Sequence, residues 1–191
     1  MHRLYFDVIC HKSNEIEKSK ENNISKKLSY ALRHKPDSIG IQLDEQGWTE
    51  IGILIEKLKI TRTELEYLVS NNSKQRFSIS KNKVRANQGH SIMVNLELRS
   101  QHPPKELYHG TTNKNYEKIK IDGLLKMSRN HVHLSEDIDT AKQVGSRHGK
   151  PIVLRINGEE MQKEGMQFFL SENGVWLTEY VEPKFISLHN D

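Results

Sequence analysis

Histidines and arginines, rather than acids or cysteines, are the residues of this sequence whose spacing invites chemistry. His131 and His133 alternate in HVHLS, so on a strand both face one side, with Val132 opposite. His109 stands in LYHGTT before Gly110, a residue that lets a ligand approach the backbone closely. Arg147-His148-Gly149 lies between a helical stretch and a strand-like one, where a loop can present side chains. Arg33 and His34 end a helical stretch, where a cation also simply favours the helix dipole. Arg85 closes a strand and, taken alone, reads as a surface arginine. A zinc site built from His131, His133 and His148 would have neither a cysteine nor an evident carboxylate, so no metal is expected. Cys10 is the only cysteine, which excludes an internal disulfide and points to a reducing cytoplasm.

These residues need elements to hold them. Residues 12–22 (KSNEIEKSKEN) are polar and aperiodic and read, with the residues before them, as a flexible extension over 1–22. Ile24, Leu28, Ala31 and Leu32 then recur at helical spacing up to Pro36. A second helix runs through Ile51, Leu54, Ile55 and Leu58, with Thr49 as its expected N-cap. Thr61 and Glu64 form a capping box for a third. RFSIS, a turn at Lys81-Asn82 and KVRA read as a hairpin. Three helices and a basic hairpin follow the order of a winged helix.

The segment RSQHPPKE (99–106) reads as a linker, because its two prolines suit neither helix nor central strand. Beyond it LYHGT, HVHLS, PIVLRI, QFFL, VWLT and KFISL are strand-like, with turns expected at Asn173-Gly174 and Pro183. NYEKIKIDG is a helix stopped by Gly123, and Ser135 is placed to cap another. The fold class is α+β, with a helical first half over 23–100 and a strand-rich second half over 105–191.

The chain has 191 residues, 35% of them hydrophobic, and a net charge of +4. No apolar run approaches the roughly 20 residues that span a bilayer, and the opening MHRLYFDVIC lacks a signal peptide's apolar stretch. No membrane partner is expected. Residues 1–102 carry 17 Lys/Arg against 12 Asp/Glu, whereas 103–191 carry 12 against 13. The excess is densest at Lys74, Arg76, Lys81, Lys83 and Arg85. A polyanionic partner and a hairpin protected against edge pairing explain that patch equally well.

As a set, the strings are more informative. LRHKP (32–36), VRANQGHS (84–91), LYHGT (107–111), HVHLS (131–135), VGSRHGKP (144–151) and NGVWLT (173–178) occur in that order. The chain thereby resembles the NAD⁺-dependent tRNA (RNA) 2′-phosphotransferase family of the KptA type, over about residues 24–188. That resemblance implies a winged-helix RNA-binding lobe followed by an NAD-binding, ADP-ribosyltransferase-like lobe. It implies a catalytic quartet of Arg33, His34, Arg85 and Arg147, and an NAD⁺ pocket using His109 and His133, with Gly110, Thr111 and Ser135 adjoining. Asn87, His90 and Ser91 sit beside the quartet arginine. Many ADP-ribosyltransferases place a catalytic glutamate late in the chain; here Glu182 in YVEPKF reads as a surface residue.

The implied reaction moves an internal RNA 2′-phosphate to NAD⁺, which is consumed. The phosphate attacks the anomeric carbon and expels nicotinamide; the ribose 2″-hydroxyl then attacks phosphorus. Products are 2′-OH RNA and ADP-ribose 1″,2″-cyclic phosphate. A phosphate monoester is already anionic at neutral pH, so the first step needs no general base. Guanidinium forks suit such a nucleophile because they bind phosphate bidentately. His34 fits either a phosphate contact or proton transfer. The expected partner is a tRNA-like RNA bearing the 2′-phosphate, met by a monomer. Two other readings are an ADP-ribosyltransferase acting on nucleic-acid terminal phosphates and a non-catalytic winged-helix nucleic-acid-binding module.

Overall fold

The computed structural model describes residues 19–189. The chain divides into two units between Ala86 and Asn87. The fold is α+β throughout.

The first unit opens with helix α1 over residues 19–33. Its apolar stripe works as the spacing predicts: Leu28, Ala31 and Leu32 are fully buried. The helix begins before Ile24, so residues 19–22 are helical; the rest of the expected extension, 1–18, lies outside the described residues. Pro36 opens a short 3₁₀ turn, Pro36–Ile39, where its missing N–H costs nothing. Strand β1 (Thr49–Glu50) leads directly into helix α2 (Ile51–Leu58). Thr49 is therefore a buried strand residue paired with Val84, not an N-cap. The cap residue is Glu50, with no side-chain bond, and the first helical N–H (Ile51) instead donates to the Asn82 carbonyl at 2.8 Å.

Helix α3 (Arg62–Ser70) has the expected capping box: Thr61 N–H donates to Glu64 Oε2 at 2.7 Å, and Glu64 N–H to Thr61 Oγ1 at 3.1 Å. The hairpin forms from β2 (Phe77–Ser80) and β3 (Lys83–Ala86), turning through Lys81 at φ 54°. All pairings are antiparallel in the order β1-β3-β2, so β3 is the central strand. Its core joins Leu28, Leu32, Ile51, Leu54, Leu65, Phe77 and Val84.

In the second unit, residues before the first long strand are already tied in. Gln101 N–H donates to the Phe168 carbonyl at 2.8 Å, and Ser100 bridges Phe169. Prolines 103 and 104 exclude a full ladder but not these single bonds. Strand β4 (Glu106–Thr112) is followed by helix α4 (Asn113–Asp122), which Gly123 ends at φ 76°. A Cβ there would lie 2.3 Å from the Val181 carbonyl oxygen, so both conformation and space require glycine.

Short strands β5 (Leu124–Leu125) and β6 (Val132–Leu134) precede helix α5 (Ile138–Gly145). Asp137 caps α5 by accepting from Thr140 N–H at 2.7 Å. Ser135, the expected cap, instead exchanges two backbone hydrogen bonds of 2.8 Å with Tyr108. That bridge extends the strand by a residue and moves the helix start two places on.

Strand β7 (Pro151–Asn157), helix α6 (Gly158–Lys163) and strands β8 (Phe169–Leu170), β9 (Trp176–Thr178), β10 (Tyr180–Val181) and β11 (Ile186–Leu188) complete the unit. The sheets are β11-β7-β4, β6-β9-β8 and the pair β10-β5. Their shared core includes Leu107, Leu134, Leu154, Ile156, Phe168, Trp176 and Val181. Among the described residues no helix is long and apolar enough to cross a membrane.

Candidate active site

In the first unit three of the singled-out residues are placed by a helix end and a strand. Arg33 is the last residue of α1. Its Nη2 donates to the Arg76 carbonyl at 3.5 Å, and its guanidinium lies 6.0 Å from the Phe77 ring centre. The helix end is thus braced against the start of β2. His34 follows in a turn, exposed, with its ring 5.9 Å from that of Tyr30 one helical turn earlier.

Arg85 departs from the surface reading of an isolated arginine, being only 9% exposed. On the central strand Val84 and Ala86 face one side and Arg85 the other. That other side is covered by Trp48, whose indole the guanidinium overlies at 4.5 Å. Such a contact contributes roughly 1–2 kcal/mol when desolvated and fixes the plane of the fork.

The charge of this unit is also arranged differently from its sequence. Within the basic run, Lys83 is paired with Asp44 at 3.1 Å and with Glu50 at 3.9 Å. Asp44 is held below the usual carboxylate range: burial opposes, while the N–H groups of Trp48 and Gln46 and the Lys83 ammonium outweigh it.

The second unit gathers His109, His133, Arg129 and Arg147. His109 lies in β4, and its Nδ1 is 3.0 Å from the His133 carbonyl oxygen. A carbonyl only accepts, so Nδ1 carries the proton and Nε2 is left as an acceptor. Burial lowers the His109 pKa and the Arg129 cation adds to it, against the raising effect of the hydrogen bond to His133. The ring is neutral at neutral pH.

Arg129 Nη1 lies 3.3 Å from His133 Nδ1. A guanidinium only donates, so His133 is neutral as well, with its proton on Nε2. Arg129 itself has its pKa lowered, first by burial and then by the like charge of Arg147. Sequence reasoning misses Arg129. The available signal is its place four residues before His133, in SRNHVH. Arg147 is exposed in the 3₁₀ turn Ser146–His148 that prolongs α5.

Gly110 serves packing rather than close approach by a ligand. A Cβ at that position would stand 1.7 Å from the Ala141 carbonyl oxygen, because α5 lies directly on β4. Gly145 meets the same contact from the helix, with the Gly110 carbonyl carbon 3.0 Å from where its Cβ would be. Alternation along β4 puts His109 on the face opposite α5. Thr111 is buried, and the Ser135 backbone bridges Tyr108, the neighbour of His109. Asn87 and His90 are buried, and the His90 carbonyl accepts from Asn130 N–H at 3.0 Å.

Of the residues the resemblance implies as a quartet, Arg33, His34 and Arg85 belong to the first unit and Arg147 to the second. Glu182 is partly buried and pairs with Lys184 at 3.5 Å. The His148 side chain lies outside the described residues. Among the described residues no three His, Cys, Asp or Glu side chains are grouped to hold a metal.

Known proteins resemble this chain along most of its length. The model of the family described as "RNA 2'-phosphotransferase, Tpt1 / KptA family" matches residues 19–180. A protein of Flavobacterium johnsoniae named "Probable RNA 2'-phosphotransferase" is 50% identical over 171 residues, covering 86% of this chain and 94% of that protein. A protein of the same name from Fusobacterium nucleatum is 52% identical over 167 residues, covering 83% and 93%. One from Streptomyces coelicolor is 44% identical, covering 85% and 92%.

Proposed function

The chain belongs to the RNA 2′-phosphotransferase, Tpt1/KptA family, and on that premise we propose that it transfers an internal RNA 2′-phosphate to NAD⁺. The RNA leaves with a 2′-hydroxyl, and nicotinamide and ADP-ribose 1″,2″-cyclic phosphate are released, through an ADP-ribosylated RNA intermediate. In this reading the first unit is a winged helix that holds RNA, on its three helices and hairpin. The second is an ADP-ribosyltransferase-like lobe that holds NAD⁺, on its small antiparallel sheets.

The observation that carries the reading is the linked set His109, His133 and Arg129. Burial disfavours the charged form of His109, its 3.0 Å bond to the His133 carbonyl sets its tautomer, and the Arg129 guanidinium 3.3 Å from His133 Nδ1 needs an unprotonated nitrogen there. A neutral imidazole can sit beside a nicotinamide ring, which is itself a cation, where an imidazolium would repel it. Beside these imidazoles, Arg129 and Arg147 supply positive charge that suits a pyrophosphate or phosphoryl group. Thr111 and Ser135 adjoin this pocket in the proposed reading, and Gly110 acts by seating α5.

The residues of this chain do little covalent work in such a reaction. Arg33, His34, Arg85 and Arg147 bind and orient phosphoryl oxygens. The attacking phosphate needs no base to form its bond to C1″, and the electron pair of the broken C–N bond leaves with nicotinamide. When the 2″-hydroxyl then bonds to phosphorus, the P–O bond to the RNA breaks and the RNA oxygen takes a proton, for which His34 is the candidate carrier. Arginines stabilise the charge that collects on phosphorus. No step calls for a metal. In this reading the substrate is a tRNA-like RNA and the enzyme a monomer, and the lone Cys10 agrees with a reducing cytoplasm.

One assay tests this. The protein is incubated with NAD⁺ and an oligonucleotide bearing one internal 2′-phosphate, and the small products are identified by mass spectrometry. ADP-ribose 1″,2″-cyclic phosphate in step with nicotinamide is expected. Inorganic phosphate, or a stable ADP-ribosyl group on an RNA end, would overturn the proposal.

A further inference from the structure

We infer that a lysine-lined groove between α1 and the end of α2 is a track for the RNA strand that flanks the 2′-phosphate. The inference rests on the phosphotransferase reading and goes beyond the quartet.

Two hollows of about 430 and 490 Å³ lie side by side along α1 and share Lys27, Leu58 and Lys59. Lys20 lines the first, and Lys57 and Tyr30 the second. Four ammonium groups from two segments of sequence thus meet over an apolar floor. Lys20 is weakly engaged, 3.4 Å from Glu64, and Lys57 sits 3.8 Å from Glu56, both exposed pairs of little strength. Lys27 and Lys59 have no carboxylate partner among the described residues. Lys59 is held in place by its backbone: at φ 54° it caps α2, and its N–H bonds back to the Glu56 carbonyl at 3.2 Å.

The groove has a direction. Lys20, Lys27 and Tyr30, spaced seven and three apart, share one face of α1, and His34 follows four residues on, in the turn that ends the helix. From Lys20 to His34 the line runs roughly 21 Å. Tyr30 is 50% exposed and its ring stands 5.9 Å from that of His34. Cations for the backbone and an exposed aromatic ring for a base are the components of a single-strand site. Their line ends on a member of the quartet. An RNA strand is therefore the occupant that the charge and the exposed ring together select.

Binding and turnover separate this from its rivals. A Lys27→Ala/Lys59→Ala double variant of the full chain is compared with wild type and with Lys114→Ala/Lys118→Ala, which removes equal charge from α4. Anisotropy with an unphosphorylated 12-nucleotide RNA reads the groove without any reaction. The double variant is expected to bind about tenfold more weakly. The slope of log affinity against log salt should fall by about 1.4, the release expected for two single-strand phosphate contacts. With a 2′-phosphorylated 12-mer, KM should rise by a similar factor at constant kcat, while a 2′-phosphorylated dinucleotide should be processed as by wild type. Unchanged RNA affinity and salt slope would overturn the track and would fit a groove covered by residues 1–18. An equal loss in the α4 control would overturn it too. If wild type fails on both phosphorylated substrates, the phosphotransferase reading fails, while the anisotropy result still decides the groove.

Discussion

At position 110 a methyl group has nowhere to go. Its carbon would meet the Ala141 carbonyl oxygen at 1.7 Å, and that atom is helix backbone, which cannot rotate aside. Gly110→Ala is expected to cost about 1–3 kcal/mol or more, read in a denaturant titration, because overpacking must lift α5 from β4. Turnover should fall with it, since the turn carrying Arg147 is the continuation of α5. A variant as stable as wild type would show that α5 does not seat there. The residue type at 110 was legible in the sequence; the reason was not, because nothing near Gly110 in the chain reveals that Ala141 lies against it. His109 makes a second prediction at this scale. Its folded pKa lies below the ordinary 6.5, so on acidification the unfolded chain takes up a proton before the folded chain does. Stability is complete above about pH 6.5 and is lost as pH falls from there towards the folded value, by at most about 1.4 kcal/mol per pH unit for one proton. His131, lowered by burial, adds to the same window. In His109→Gln the slope between pH 7 and 5 should shrink but persist. Slopes identical in the two proteins would remove His109 from the titration.

Among the elements, local signals proved the easiest to read. The capping box of α3 needs only Thr61 and Glu64, three residues apart, and both of its bonds form. The periodic stripes of α1 and α2 and the basic hairpin were legible for the same reason. The start of α5 was not. Ser135 has the right type for a cap, but its backbone is taken by Tyr108, 27 residues away, so the capping duty passes to Asp137. Thr49 fails as a cap in the same manner, drawn into β1 by Val84. These displacements are tertiary pairings overriding local preference. Asp137 also has its carboxyl lowered, first by the N–H of Thr140, as an anion bonded to the end of a helix should be. Asp137→Ala is therefore expected to cost about 1 kcal/mol in thermal or denaturant unfolding. Ser135→Ala should cost almost nothing. The reverse order would return the cap to Ser135.

The whole molecule divides its candidate chemistry between two units, each with its own core. The ordered strings singled out residues in both units, but they gave no sign of Arg129, a lone arginine until the fold sets it against His133. Nor did they show that Lys83 is neutralised by acids from 33 and 39 residues earlier, while Lys27 and Lys59 are left to meet a partner. If the first unit holds RNA phosphate and the second holds NAD⁺, affinities for the two substrates should be separable by mutation. Arg85→Gln keeps much of the volume over Trp48 and removes the charge and the guanidinium fork. It should weaken binding of a 2′-phosphorylated oligonucleotide, measured without NAD⁺, by about ten- to hundredfold, the usual loss of a charged hydrogen bond. Its NAD⁺ affinity, measured calorimetrically without RNA, should stay within about twofold of wild type. His109→Gln should do the opposite, weakening NAD⁺ and sparing RNA. Each variant serves as the folding control for the other, because an unfolded unit cannot retain its own ligand. Should Arg85→Gln weaken NAD⁺ as much as RNA, the division of labour between the units would be wrong, and Arg85 would belong with the histidines rather than with Arg33 and His34.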